Sequence, residues 1–241
     1  GCVGFFILSP FYGGYMLNTK IKNHDQIQKT VILALFTALS FLIQFVFRIK
    51  VQFLTFDAKD AVMTVAAMIY GPLYGLIISF AVALLEAITI SSTGIWGFLM
   101  NFLGSASFVL ISSLVYKYKR TLGGAIAGLS LSVLFSTVVM LGLNILITPI
   151  YMGVAVRQVL TLIPTLLLPF NLMKAVFNAG LVLLLYKPIV RAMRKAKLVE
   201  SGEYRANGKR SSVVVFVLAL IFIMIGVVGF LVLNGKINFF R

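Results

Sequence analysis

A series of long apolar runs constrains this chain more than any other feature. Residues 31–47, 61–90, 96–116, 122–148, 165–186 and 213–233 are predominantly apolar, and none alternates with the period of a strand. A run of about 20 apolar residues is the length at which a helix crosses a hydrocarbon core about 30 Å thick. Inside a bilayer every backbone group must be satisfied within the protein, so only helices and closed barrels span it. Barrels need alternation of apolar and polar residues, which these runs lack. The expected fold class is therefore all-α and integral to a membrane. Composition agrees: 61% of residues are hydrophobic and 11% charged, whereas soluble domains carry about 25% charged residues.

The 61–90 run is thirty residues long with one charge, Glu86. As a single helix it would measure about 45 Å, too long without strong tilt. Gly71-Pro72 lies inside it, followed by Gly75. Proline removes a helical hydrogen bond and disfavours helix in the residue before it. This predicts a break, with one helix ending near Tyr70 and another over 73–92. The break also organises the basic residues by the positive-inside rule. With it, the N-terminal tail, Lys117–Arg120 and 187–210 share the cytoplasmic side, and they hold 14 of the 21 lysines and arginines. Arg48, Lys50, Lys59, Arg157, Lys236 and Arg241 fall outside. The prediction is six core helices plus a seventh near the C-terminus: a tail over 1–27, a membrane domain over 28–194, a basic cytoplasmic linker over 195–211 and an extra helix over 212–241. The net charge of +15 thus reads as a topology signal for a multi-pass membrane protein with a cytoplasmic N-terminus, not as a nucleic-acid surface.

The apolar first sixteen residues lack the charged start of a signal peptide; Met16 is a candidate start, and the segment is assigned no function. Cys2 and His24 are the only cysteine and histidine, so neither a disulfide nor a metal cluster is expected. Walker A, HExxH and GxSxG motifs are absent. The nearest string, over 202–210, has the wrong glycine spacing and Arg210 where Ser or Thr belongs. The expectation is a binding protein, not an enzyme.

Ionisable and amide side chains within spans are costly and usually face a cavity or a partner. At 1.5 Å per residue, Glu86, Asn101, Asn144 and Asn171 lie about 8–9 Å below the outer ends of their helices, and Lys174 about 13 Å. Gln44 is near the outer end of the first helix. Asn171, Lys174 and Asn178 recur at i, i+3, i+7, one helical face. The shared depth points to an outward-opening pocket; interhelical hydrogen bonds, or a simple Lys174–Glu86 pair, are the alternatives. The outer segment 51–57, with Phe53, Leu54, Thr55, Phe56 and Asp57, is a candidate lid, or else an ordinary interfacial loop. Ala34 and Ala38, four apart, form a small-residue face that lets another helix approach closely.

The order of F-D-x-x-D from Phe56, M-I-Y-G-P-L-Y-G from Met68, L-L-E-A-I from Leu84 and G-I-W-G-F-L-M-N from Gly94 resembles the substrate-binding S components of energy-coupling factor (ECF) transporters. N-I-L-I-T-P-I-Y from Asn144 and P-F-N-L-M-K from Pro169 strengthen the likeness, which covers residues 28–194 and is nearest to riboflavin-specific members. The resemblance implies a six-helix vitamin-binding subunit of a bacterial cell membrane. It would dock on a transmembrane coupling protein (T component) driven by two cytoplasmic ATPases. It further implies riboflavin or flavin mononucleotide (FMN) as the transported ligand and no resident cofactor. Asn144, Asn171 and Lys174 would be polar contacts, the 51–57 segment a cover, and Ala34 and Ala38 the docking face. An S component for another vitamin, and a stand-alone secondary carrier, are the alternatives; a carrier would usually show an internal repeat or ionisable groups across the full membrane. The 213–233 helix and the apolar N-terminus depart from the family pattern.

Overall fold

A computed structural model of the chain describes residues 9–91, 93–196, 198 and 209–233. Its elements are α1 (Ser9–Val46), a hairpin of β1 (Ile49–Val51) and β2 (Leu54–Phe56), α2 (Lys59–Tyr70), α3 (Pro72–Thr89), α4 (Gly94–Tyr118), α5 (Leu122–Met152), α6 (Val156–Leu162), a π turn (Ile163–Leu167), α7 (Leu168–Lys195) and α8 (Lys209–Leu233). Most of the expected 195–211 linker, residues 1–8, Lys197, Lys236 and Arg241 lie outside the described residues, as does most of the 202–210 string.

Among the described residues, six helical runs are long and apolar enough to cross a membrane: Gln26–Val46, Pro72–Thr89, Gly94–Tyr118, Leu122–Met152, Val156–Lys195 and Val213–Val232. The break occurs where the Gly-Pro pair placed it. Gly71 adopts φ 110°, a region L-residues rarely enter, and Pro72 opens α3 at a position where its missing N–H is not needed. The result differs from expectation in one respect. α2 has 12 residues, about 18 Å, too short to span, and Lys59 through Met68 are all buried. Beyond the paired Lys59 and Asp60 of its first turn the helix is almost wholly apolar, and such a helix belongs inside; α2 is the central post of the bundle rather than a lipid-facing wall.

Other boundaries shift for physical reasons. α1 extends well ahead of Val31, and residues 16–30 contain no glycine or proline to interrupt it. α5 runs through Pro149 and ends at Gly153, whose φ of 64° turns the chain while its N–H reaches Pro149 O. The sixth predicted helix is longer than 165–186: helix continues from Val156 to Lys195, and the π turn over Ile163–Leu167 accommodates Pro164 just ahead of Pro169. Proline leaves a carbonyl without its usual donor, and π turns are one way a helix absorbs that.

Among the described residues three apolar clusters hold the molecule: one, with Val51, Leu54, Phe56, Phe170 and Phe230, lies under the hairpin, and two lie within the bundle. Ile32 and Phe36 of α1 pack with Val62, Met63 and Ala66 of α2 and Ile78 and Val82 of α3. Ala61 and Val65 of α2 pack with Phe108, Leu129, Ala179 and Val182 from α4, α5 and α7, and with Val215 and Ala219 of α8. Close approach of α7 and α8 depends on Gly180 and Gly226, where a Cβ would meet Phe222 Cβ and Phe177 Cβ, respectively. Large apolar side chains such as Leu35 and Leu42 of α1, Leu134 and Val138 of α5, and Phe216 and Ile225 of α8 are exposed. Lipid solvates such a surface; water would not.

Candidate ligand-binding site

The hairpin lies over one end of the bundle and feeds directly into α2. Its register pairs Ile49 with Phe56 and Val51 with Leu54, leaving Gln52 and Phe53 as the turn; Gln52 adopts φ 53°. The sequence showed this segment only as a mixed loop, since three-residue strands are too short to show periodicity.

α2 begins without a side-chain cap of its own. Asn178 of α7 supplies one across the bundle: its Oδ1 accepts from Ala61 N at 2.9 Å, and its Nδ2 donates to Asp57 O at 3.0 Å. This satisfies one of the N–H groups that a helix start leaves unpaired. One turn along α7, Lys174 Nζ donates to Asp57 Oδ2 at 2.9 Å and to Thr55 O at 3.2 Å. Burial alone would raise the Asp57 carboxyl; the Lys174 and Lys59 ammonium groups outweigh it and hold the carboxyl below its ordinary value. Lys59 Nζ meets Glu86 Oε2 at 2.6 Å, with both side chains buried. Ser105 Oγ donates to Asp60 Oδ1 at 2.6 Å. The Lys174–Glu86 pair entertained from sequence is therefore replaced by two pairs, Lys174–Asp57 and Lys59–Glu86. Asp57, just after the hairpin, takes Lys174, and Lys59, at the start of α2, takes Glu86 of α3.

Beneath the hairpin is a cavity of about 200 Å³, adjoined by a smaller one of about 40 Å³. The two share Met100, Asn101, Met140, Asn171 and Lys174. Of the residues singled out from sequence, Phe53, Leu54, Thr55, Glu86, Asn101, Asn171 and Lys174 line the larger cavity. Asn144, Phe56 and Asp57 line neither. Asn144 is fully buried, donating to Met140 O and accepting from Thr148 Oγ1. Phe56 packs beneath the hairpin against Phe170, Phe177 and Phe230. Ala34 and Ala38 are far along α1 and exposed.

Unspent hydrogen-bonding capacity concentrates at the cavity. An ammonium has three donors, and Lys174 uses two. Asn171 spends Nδ2 on Leu167 O; its Oδ1 accepts nothing from the described residues. The Asn101 side chain makes no hydrogen bond among them. Sequence reasoning missed Asp60, Met100, Met140, Tyr151 and the cations Arg48 and Lys50 as lining groups. Asp60 had a usable signal, as the second carboxylate of F-D-x-x-D; methionine and tyrosine in apolar runs had none.

A family model described as the substrate-specific component of ECF transporters matches residues 28–186. The chain belongs to this family. Among curated relatives, a riboflavin transporter of Staphylococcus aureus, RibU, is 26% identical over 183 residues, covering 72% of this chain and 96% of the relative. A riboflavin transporter of Bacillus subtilis, FmnP, is 26% identical over 188 residues, covering 72% of this chain and 99% of the relative. A solved S component of a bacterial ECF transporter superposes with a TM-score of 0.60 at 26% identity, covering 70% of this chain and 99% of that one. The chain is thus a transporter substrate-specific component with the architecture expected of one, and the family match stops short of α8.

Proposed function

We propose that this S component binds riboflavin from outside the cell and delivers it inward with a coupling protein and two ATPases supplied by other chains. The observation that carries the reading is the cavity under the hairpin. Unspent donors and acceptors on Lys174, Asn171 and Asn101 stand beside Phe53, Phe170, Met100 and Met140, in a chain similar over 72% of its length to two riboflavin transporters. An isoalloxazine ring presents an apolar face and a carbonyl-and-imide edge. Aromatic and thioether side chains cover the face, while amides donate to and accept from the edge. Lys174, Asn171 and Asn101 are the direct polar contacts; Asn144 acts through Thr148 and Asp57 through Lys174. Glu86 sits at the wall, neutralised by Lys59.

The larger cavity is smaller than the roughly 300–1,000 Å³ of ligand-filled pockets. Taking up a tricyclic ring therefore requires the hairpin to shift outward. The hairpin end faces the exterior and the N-terminus the cytoplasm, an orientation supported by the concentration of lysine and arginine at the opposite end. Arg48 and Lys50, which line the cavity beside the hairpin, favour FMN as a second ligand, since two cations suit a phosphate. The exposed Ala34 and Ala38 face of α1 is where the coupling protein packs.

The test is spectroscopic. Protein purified from cells grown with riboflavin should carry flavin absorption in the blue, and the stripped protein should quench flavin fluorescence on titration. Stripped, folded protein that quenches neither riboflavin nor FMN refutes the assignment.

A further inference from the structure

α8 (Lys209–Leu233) lies beyond the family match, which ends at residue 186, and it packs along α7. Its last turns reach the hairpin end of the bundle. There the Phe230 ring sits 4.8 Å from that of Phe56, centroid to centroid, tilted by 45°. Phe56 is buried, closes β2, and also meets Phe177 of α7 at 5.1 Å and Phe170 at 6.2 Å. Its neighbours in sequence are Thr55 and Asp57, the two residues that hold Lys174. Phe230 itself is 7% exposed, so it is committed to this contact rather than to lipid. The approach that brings it there is enforced by Gly226 and Gly229, where a Cβ would run into Phe177 and Met173 of α7.

We infer that α8 is an added clamp on the binding-site hairpin, with Phe230 as the positioning residue that holds β2 down through Phe56. This rests on the reading of the cavity as the ligand site. A hairpin of two three-residue strands has little stability of its own. Its closure is set by what its apolar underside packs on, and α7 supplies only part of that surface. Phe230 lines neither cavity; it acts by making the raised hairpin less favourable. Its loss accelerates opening, so bound ligand leaves faster while its polar contacts are unchanged.

The experiment uses the full chain in a Cys2→Ser background, with a spin label at Ile49→Cys, an exposed position on β1 paired with Phe56. Riboflavin is the kinetic probe. Phe230→Ala should raise label mobility without ligand and speed riboflavin release several-fold, up to about tenfold, the scale expected from a lost buried aromatic contact. Phe216→Ala, on the exposed face of the same helix, should change neither. Lys174→Ala should weaken binding with or without the clamp. Unchanged label mobility and release in Phe230→Ala, while Lys174→Ala still weakens binding, overturns the clamp and leaves the site standing. If no variant nor the parent binds riboflavin, the site reading fails and label mobility alone decides the clamp. Should Phe230→Ala not fold, Phe230→Leu is read the same way: it keeps an apolar group but loses the ring face, and parental mobility overturns the proposal.

Discussion

Lys174 stands at the junction of ligand and scaffold, and its substitution separates the two roles. Lys174→Ala removes a donor from the cavity and also strands Asp57, whose side chain is 1% exposed. Loss of one hydrogen-bond partner costs about 1–3 kcal/mol, or more when charged. Riboflavin affinity should therefore fall about 5- to 150-fold, and the melting temperature should drop. Asp57→Asn combined with Lys174→Met removes both charges and should recover stability but not affinity; recovery of both would make Lys174 purely structural. Asn171→Ala should weaken binding over the same range with little loss of stability. Asn178→Ala should do the reverse, since its amide caps α2 and ties down Asp57 O. The Asp57 carboxyl lies lower in the fold than its ordinary value of 3.8. Its contribution to stability is therefore complete above that value and disappears as pH falls through the lower, folded one. Acid titration of melting temperature should show this loss in the parent and a flatter profile in Asp57→Asn.

At the scale of elements, α1 divides its faces cleanly. Ile32, Phe36, Ser40 and Gln44 are buried at four-residue spacing, while Ala34 and Ala38 are exposed. Among the described residues nothing covers that side, so a bulky residue there has room. Ala34→Trp or Ala38→Trp should leave riboflavin binding by the isolated subunit intact and reduce uptake in vesicles containing the coupling protein and ATPases. Equal loss of binding and uptake would place that face inside this subunit's own packing. The contrast shows what the sequence could reveal. Run length and Gly71-Pro72 located the helices because lipid thickness and missing hydrogen bonds act locally. Periodicity put Asn171, Lys174 and Asn178 on one face for the same reason. Which partner that face meets is a tertiary matter. Asn178 capping α2, Lys174 taking Asp57 rather than Glu86, and Phe56 turning under the hairpin all depend on elements over a hundred residues apart. The π turn ahead of α7 was hidden too, because Pro164 alone signals a helix end as readily as a bulge.

The whole molecule is asymmetric from end to end, and that asymmetry carries the direction of transport. The hairpin end holds the buried charges Asp57, Lys59, Asp60 and Glu86 and the half-buried Lys174 around the cavity. The opposite end carries Lys117 in the last turn of α4, Lys119 and Arg120 just after it, and Lys187, Arg191, Arg194 and Lys195 along the last turns of α7. Basic residues are retained on the cytoplasmic side during insertion, so the cavity end should face outward, where a vitamin is scavenged. Single cysteines in a Cys2→Ser background test this without any ligand. Lys119 lies at the α4 terminus away from the hairpin, and Arg157 begins α6 on the hairpin side; both are exposed. A membrane-impermeant maleimide added to intact cells should label Arg157→Cys promptly and Lys119→Cys only after permeabilisation. The reverse pattern would turn the cavity toward the cytoplasm and make an uptake role untenable, whatever the protein binds.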